Sequence, residues 1–456
     1  MAPNSSSIQW RSSTTFIILC VAIALFAESF LYGYVVPILP YLLEDRNHID
    51  PSKTLTFTYI ILTSYGIMCV LSAMAVGPLA DRAKTRRGPL LIALSIAFLG
   101  TLVLATAITV PLILIGRALQ AIGGTTAWIV GLATLRDSIN GKDMGKAFGL
   151  VHSFVSVGAL SGPAVAGLLL EAAGYWWTWG VVLLVLVLDI VMRLVMLEGP
   201  KYLECHGQVG PNKPSNQATE YSTLLPDSGM PERYAENVAN LSMFRFYKVM
   251  LSQRRVVVGL LCSVIYSAML ASYNTTVPLH VRRAFGWGSS HTGLLFVGLQ
   301  GPAILLSPLC GWFRDRFGTK LPATIGFVSL APLVWLLGAA DQKQFPWAAT
   351  EDSSKVTYTL AILGIGCVTN LMSSVGTIEI TCAVDDIESK EPGFFGPNGG
   401  YSRSYSLSNL SFSSGLLVGP LLSGALADNV GYYYMNTVLA VICATMSILA
   451  STCLGG

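Results

Sequence analysis

The chain is 456 residues long, 53% hydrophobic and only 12% charged, with a formal net charge of +3. Soluble globular chains average roughly 25% charged residues, so the composition excludes an ordinary water-soluble domain and points to lipid as the solvent. The small net charge says little by itself, and no nucleic-acid partner is expected.

Twelve apolar runs of about 20 residues follow one another along the chain, each long enough at 1.5 Å per residue to cross a hydrocarbon core of about 30 Å. Lipid offers no partner to backbone amides, so each run reads as a helix. The expected fold class is therefore an all-α polytopic membrane protein.

The first run, Phe16 to Val36, carries one acid, Glu28, in the stretch "ESFLYGYVVPILP". Glu28 lies 12 residues past Phe16, about 18 Å in from that end and so at mid-membrane. A single cation, Arg11, precedes the run, which continues without a small-residue cleavage site. It reads as a span with a cytosolic amino terminus and not as a cleaved leader. The second run, Leu55 to Leu79, leads into "GPLADRAKTRRGP", a charged loop before Pro89 to Ile108. Pro111 to Leu135 follows, with Arg117 and Gln120 inside it. A charge buried in lipid is costly and turns to a cavity or a partner, so Glu28 and Arg117 are read as facing one central cavity. Gly145 to Leu170 contains "GALSGPAVAG", with Gly158, Gly162, Pro163 and Gly167. Trp176 to Leu197 puts Asp189 and Arg193 four residues apart on one helical face, which predicts an internal ion pair.

Residues 198–255 are rich in Gly, Pro, Asn and Ser and read as a cytosolic linker between a first half, 1–197, and a second, 256–456. The linker ends in "NLSMFRFYKVMLSQRR", whose mixed apolar and basic residues suit an amphipathic helix on the inner leaflet. Within it, Glu220, Leu224 and Leu225 fit an acidic dileucine signal for sorting adaptors. The plasma membrane is the first expectation for location, with a vacuolar or endosomal membrane as the alternative.

The second half supplies Val256 to Leu279, His291 to Phe313, Leu321 to Ala340, Tyr358 to Val384, Tyr401 to Leu426 and Tyr433 to Leu454. Glu379 lies near Asp385 and Asp386 and reads either as a cytosolic gate or as an interfacial acid. Tyr32, Trp128, Tyr266, Tyr273, Asn274 and Trp335 are candidates for the wall of a cavity that takes a bulky organic substrate; packing or interfacial anchoring accounts for any one of them equally well.

The halves repeat each other. Gly77-x-x-x-Asp81-Arg82 recurs as Gly311-x-x-x-Asp315-Arg316, and "GALSGPAVAG" at Gly158 recurs as "GLLVGPLLSG" at Gly415, an offset of 257 residues. "GYWW" at Gly174 and "GYYY" at Gly431 share that offset. Two parallel six-helix repeats about an axis along the membrane normal follow. Their orientation is set by the cations: Arg11, Arg82 to Arg87, Arg136 to Lys146, Arg193 to Arg255, Arg314 to Lys320, Lys390 and Arg403 place 21 of the 28 Lys and Arg on the cytosolic side, against six outside.

With these motifs the chain resembles the major facilitator superfamily over nearly its whole length. The family's loop motif is matched by Gly77, Asp81, Arg82, Arg86 and Arg87, with Lys84 in place of a Gly. Its span-four motif is matched by Arg117 and Gln120, with Ala121 departing, and its antiporter signature by Gly158, Gly162, Pro163 and Gly167. "ESFLYGYVVPILP" further resembles vesicular amine transporters and fungal drug or metabolite exporters, with Glu28 where Asp is usual. Asn409 stands where the amine transporters carry a second acid. The resemblance implies twelve helices in two halves that rock about a central site.

The expected function is a proton-coupled antiporter exporting a drug-like compound or secondary metabolite, with protons, a small organic substrate and the bilayer as partners. Glu28, Arg117 and Gln120 would carry coupling and substrate. Asp81 capping the start of span eleven, and Asp315 that of span five, would latch the halves on the cytosolic side, with Arg82, Arg316 and Glu379 beside them. Uptake, carriage of an organic anion on Arg117, and a non-transporting membrane sensor remain as other readings. Nothing points to an enzyme, a cofactor or a metal: the nine cysteines lie mostly within spans, no nucleotide-binding loop or nucleophile elbow is present, and no glycan is expected.

Overall fold

The structure is a computed structural model that describes residues 11, 13–82, 87–138, 144–196, 245–348, 350–391, 394 and 401–454. The side chains of 77–82, 136–137, 144–146, 148, 315, 401–402 and 405 are outside that description. The dileucine at Glu220, Leu224 and Leu225 lies outside the described residues, as do the side chains of Asp81, Arg82 and Asp315.

Among the described residues the chain is helical and without strands. The first half consists of α1 (Thr14–Tyr41), α2 (Thr54–Arg82), α3 (Arg87–Thr106), α4 (Val110–Ser138), α5 (Met144–Ala172) and α6 (Tyr175–Val195). The second consists of α7 (Arg254–Phe285), α8 (Ser289–Phe317), α9 (Lys320–Ala339), α10 (Glu351–Thr369), α11 (Val375–Lys390), α12 (Tyr401–Val430) and α13 (Tyr432–Cys453). Eleven of the described helical segments are long and apolar enough to cross a membrane.

The tenth expected span, Tyr358 to Val384, is not one helix. It breaks at residues 370–374 into α10 and α11, with Ser374 in the left-handed region at φ 64°. The break is held by side chains. Asn370 Nδ2 donates to the Ala303 carbonyl at 3.0 Å, and Arg314 Nη1 donates to the Ser373 carbonyl at 2.6 Å. These bonds do for the broken backbone what helix hydrogen bonds would otherwise do. A short helix at 245–252 precedes α7. Its Phe246 and Met250 are buried against Ile380, Ala383 and Val384 of α11, so its apolar face lies on protein.

The duplicated motifs occupy matching places. A Cβ on Gly158 or Gly162 would overlap the Phe26 or Phe30 carbonyl of α1, and one on Gly415 or Gly419 would overlap the α7 backbone at Val264 or Ala268. Small residues four apart thus let α5 lie on α1 and α12 on α7. One step further along, Gly167 meets Ser289 of α8 and Gly424 meets Tyr59 of α2, so both motifs also join the halves. Gly174 and Gly431, at φ 80° and 93°, begin α6 and α13 in a backbone conformation that side chains disfavour.

Among the described residues, several polar contacts join the halves at the side that the cations mark as outer. Arg282 Nη1 of α7 pairs with Glu44 Oε2 at 2.8 Å, in the π-helical turn Leu42–Arg46 that continues α1. Thr54 Oγ1 donates to the other Glu44 oxygen at 2.9 Å. Arg283 Nη2 donates to the Pro51 carbonyl. In that same loop, hydrogen bonds from Ser52 hold the Asp50 carboxyl below the usual carboxylate range. The Ser290 amide donates to Glu171 at 3.0 Å, and Thr56 Oγ1 donates to Asp428 at 2.7 Å. These contacts tie the two halves together on the outer side.

If Glu44–Arg282 contributes to that junction, removing it is expected to cost about 1 kcal/mol, since Arg282 is partly solvated, which is about a fivefold shift toward the outer-open state. Spin-label distances across the outer face should lengthen in Glu44→Arg and return in Glu44→Arg/Arg282→Glu. Unchanged distances in the single variant would remove the pair from the junction.

Candidate functional site

The site grows from α1. Glu28 is buried, as expected of an acid in the middle of a long apolar helix. Tyr65 of α2 donates its hydroxyl to Glu28 Oε1 at 2.8 Å. On α4, Gly124 supplies the room: a Cβ there would overlap the Glu28 carboxylate. Ala24, Ala27, Ala97, Gly123 and Ala127 keep most of the wall beside it small, and Leu94 and Leu186 complete it.

Arg117 of α4 is fully buried, with its guanidinium carbon 4.3 Å from the centre of the Tyr65 ring and 5.9 Å from that of Tyr32. A cation on an aromatic face is favoured, more so when desolvated. Arg117 Nη1 donates to Gln120 Oε1 at 2.9 Å, and Gln120 Nε2 donates to Thr101 Oγ1 of α3 at 3.0 Å. Arg117 Nε and Nη2 have no hydrogen-bond partner among the described residues. Acid and base therefore share Tyr65 without an ion pair, and a hydrogen-bonded chain through Gln120 to Thr101 fixes the base.

The second half reaches this site through Asn274 of α7, which lies close to Tyr32. Tyr32, Tyr65, Met68, Cys69 and Ala121 of the first half pack with Ala271 and Leu416 of the second. The structure thus brings together Glu28, Arg117, Gln120, Tyr32 and Asn274, all singled out in the sequence.

The remaining candidates lie elsewhere. Trp128 packs among Val21, Leu25 and Leu135 between α1, α4 and α5. Tyr266 faces Phe412 of α12, with ring centres 6.4 Å apart. Tyr273 is buried in the core of the second half, and Trp335 packs edge-on against Phe345 near the outer side. Asn409 is half-buried on α12. Glu379 is buried, accepts a hydrogen bond from Thr319 Oγ1 and lies against Gly259 of α7, contacts that stay inside the second half. Arg316 is exposed at the end of α8. Asp189 and Arg193 do not form the expected ion pair. Arg193 Nη2 instead donates to the Cys20 carbonyl of α1 at 3.0 Å, and among the described residues neither Asp189 oxygen has a hydrogen-bond partner.

Residues 21–390 and 259–455 match the family described as the Major Facilitator Superfamily. The chain belongs to that superfamily. It is 29% identical over 452 residues to an uncharacterized MFS-type transporter of Schizosaccharomyces pombe, covering 98% of this chain and 97% of that one. Two partial likenesses accompany it. One is to the class C tetracycline resistance protein of Escherichia coli, 34% identical over 30% of this chain and 34% of that one; the other is to a probable vesicular acetylcholine transporter of Danio rerio, 27% identical over 40% and 38%. The crystal structure of a D-xylose-proton symporter shares the fold, with a TM-score of 0.68 and 15% identity over 97% of this chain and 98% of that one.

Gly124→Ala must displace the Glu28 carboxylate, and Tyr65→Phe removes the bond while leaving the ring. A hydrogen bond to a charged group contributes about 1.5–3 kcal/mol, so each variant is expected to lower transport about tenfold or more at unchanged membrane expression. Wild-type rates in Gly124→Ala would show that the Glu28–Tyr65 contact does not matter to turnover.

Proposed function

We propose that this chain is a proton-coupled antiporter that carries a small organic molecule out of the cytosol. The observation that supports it is the position of Glu28: a buried carboxyl at mid-span, tied to Tyr65, beside Arg117, and inward of the contacts that join the halves on the outer side. Desolvation favours a neutral acid and a neighbouring cation favours a charged one, so a change of access shifts the balance between the two. One site then holds a proton or a positively charged substrate group, not both. The tetracycline resistance and vesicular acetylcholine relatives are consistent with export from the cytosol. In this reading residues 1–197 and 256–456 are the rocking halves, joined by the 198–255 linker, and the plasma membrane is the site of action.

A second reading has one observation in its favour. The two unpartnered donors of Arg117 would receive an acceptor oxygen of an organic anion, with Glu28 holding the co-transported proton.

Glu28→Gln keeps the shape and removes the titration. The variant is expected to fold and reach the membrane, to lose pH-gradient-driven transport, and to retain exchange without a gradient. Normal gradient-driven accumulation at wild-type expression would demote Glu28 to a packing residue.

A further inference from the structure

The fold contains a second buried acid that the central site does not use. Asp189 of α6 is fully buried, and neither carboxylate oxygen has a hydrogen-bond partner among the described residues. It stands six residues before the end of α6 at Val195, about 9 Å along the helix from that end. Arg193, one turn on, is also fully buried and holds back from it. Arg193 Nη2 is spent on the Cys20 carbonyl, Nη1 lies 3.3 Å from Met196 Sδ, and Nε has no partner.

A bare carboxylate in this position would be an unsolvated charge without hydrogen bonds, which a protein interior does not tolerate. A neutral carboxylic acid, whose unpaired O–H and C=O are far less costly to bury than a charge, is the form this setting tolerates. The i, i+4 spacing also leaves an ion pair with Arg193 within reach of a rotamer change. We infer that Asp189 is a second proton-binding site, neutral in this structure and paired with Arg193 once its proton is lost. Deprotonation breaks the carboxyl O–H bond, passes the proton to water, and leaves an aspartate whose charge Arg193 meets by letting go of the Cys20 carbonyl.

That exchange has a mechanical consequence. Cys20 lies eight residues before Glu28 on α1, so the bond that Arg193 gives up is one of those fastening α6 to the helix that carries the central acid. The rest of the setting is cationic or remote. From α1 come Cys20 and, ahead of the helix, Arg11, whose Nε donates to the Val195 carbonyl at 2.7 Å. From α3 comes Arg87, which donates to the Leu194 carbonyl. From α5 the described titratable side chains are His152, which is exposed, and Glu171, which is at the outer end. Arg193 is the neighbour poised to compensate a charge on Asp189.

The proposal does not rest on the export reading, and its test needs no substrate. Infrared difference spectra of the full chain in proteoliposomes, alkaline minus acid, should show loss of the protonated-carboxyl C=O band. One component of that loss should be absent in Asp189→Asn, and a different one in Glu28→Gln. In Arg193→Gln the Asp189 component should persist to more alkaline pH, because the compensating charge is gone. Asp189→Glu, which keeps an acid, should shift that component without removing it, and it serves if the Asn variant does not fold. A band unaffected by both Asp189 variants, or an Asp189 component indifferent to Arg193→Gln, would overturn the site. Failure of Glu28→Gln to alter transport would leave these spectra, and the Asp189 assignment, unaffected.

Discussion

A carboxylate in the middle of a bilayer has no water to hold its charge, and the architecture around Glu28 answers that difficulty with as little polarity as possible. One hydroxyl, from Tyr65, is directed at it. One cation, Arg117, stands nearby but is held to Gln120 and to aromatic faces instead of being clamped on the acid. A direct Glu28–Arg117 ion pair would fix the acid in its charged form, and the absence of any cation would fix it neutral. The arrangement found here is neither: the cation is near the acid but bound to other partners.

The same economy governs the packing. Lipid gives helices no hydrophobic reason to associate, so close approach through small residues takes that place. The glycines of α5 and α12 show how one sequence pattern serves two purposes. Their inner pairs set α5 on α1 and α12 on α7 within each half, and Gly167 and Gly424 meet the other half. Resemblance to an antiporter signature is thus explained by packing without reference to any transported ion. A motif that fastens halves and lets them roll is needed whatever the direction of transport.

The sequence made legible what is chemically loud. Glu28, Arg117 and Gln120 stood out because charge or amide groups interrupt apolar runs, and the duplicated glycines stood out because an offset of 257 residues recurred. Tyr65 and Thr101 escaped because a hydroxyl inside a span is ordinary, and only the fold shows which ones point at an acid. Gly124 escaped because a vacancy has no signature in one dimension, although the doubled glycine at Gly123 and Gly124 was there to be read. The break at 370–374 was invisible to hydropathy, since its cause lies in side chains of α8. The Asp189–Arg193 pair failed for a related reason: spacing says which residues can meet, and the Cys20 carbonyl decided that they did not. The cytosolic latch expected at Asp81 and Asp315 falls on side chains outside the described residues, and the contacts of Glu44 with Arg282 and of Arg283 with Pro51 join the halves at the outer side.

Symmetry of frame is joined to asymmetry of chemistry. The first half holds Glu28, Arg117, Asp189 and Arg193 within its spans, while in the second half Glu379 sits toward the cytosolic end and His280 toward the outer one. At the level of Glu28 the second half offers Asn274, which can share hydrogen bonds but cannot exchange protons at physiological pH. Two halves built alike are suited to rocking, because matching helix crossings can open on one face as they close on the other. Placing Glu28 and Arg117 on one half leaves the facing wall at their level neutral, so any motion of one half against the other would change the surroundings of both groups together while their shared contact with Tyr65 stays within the first half.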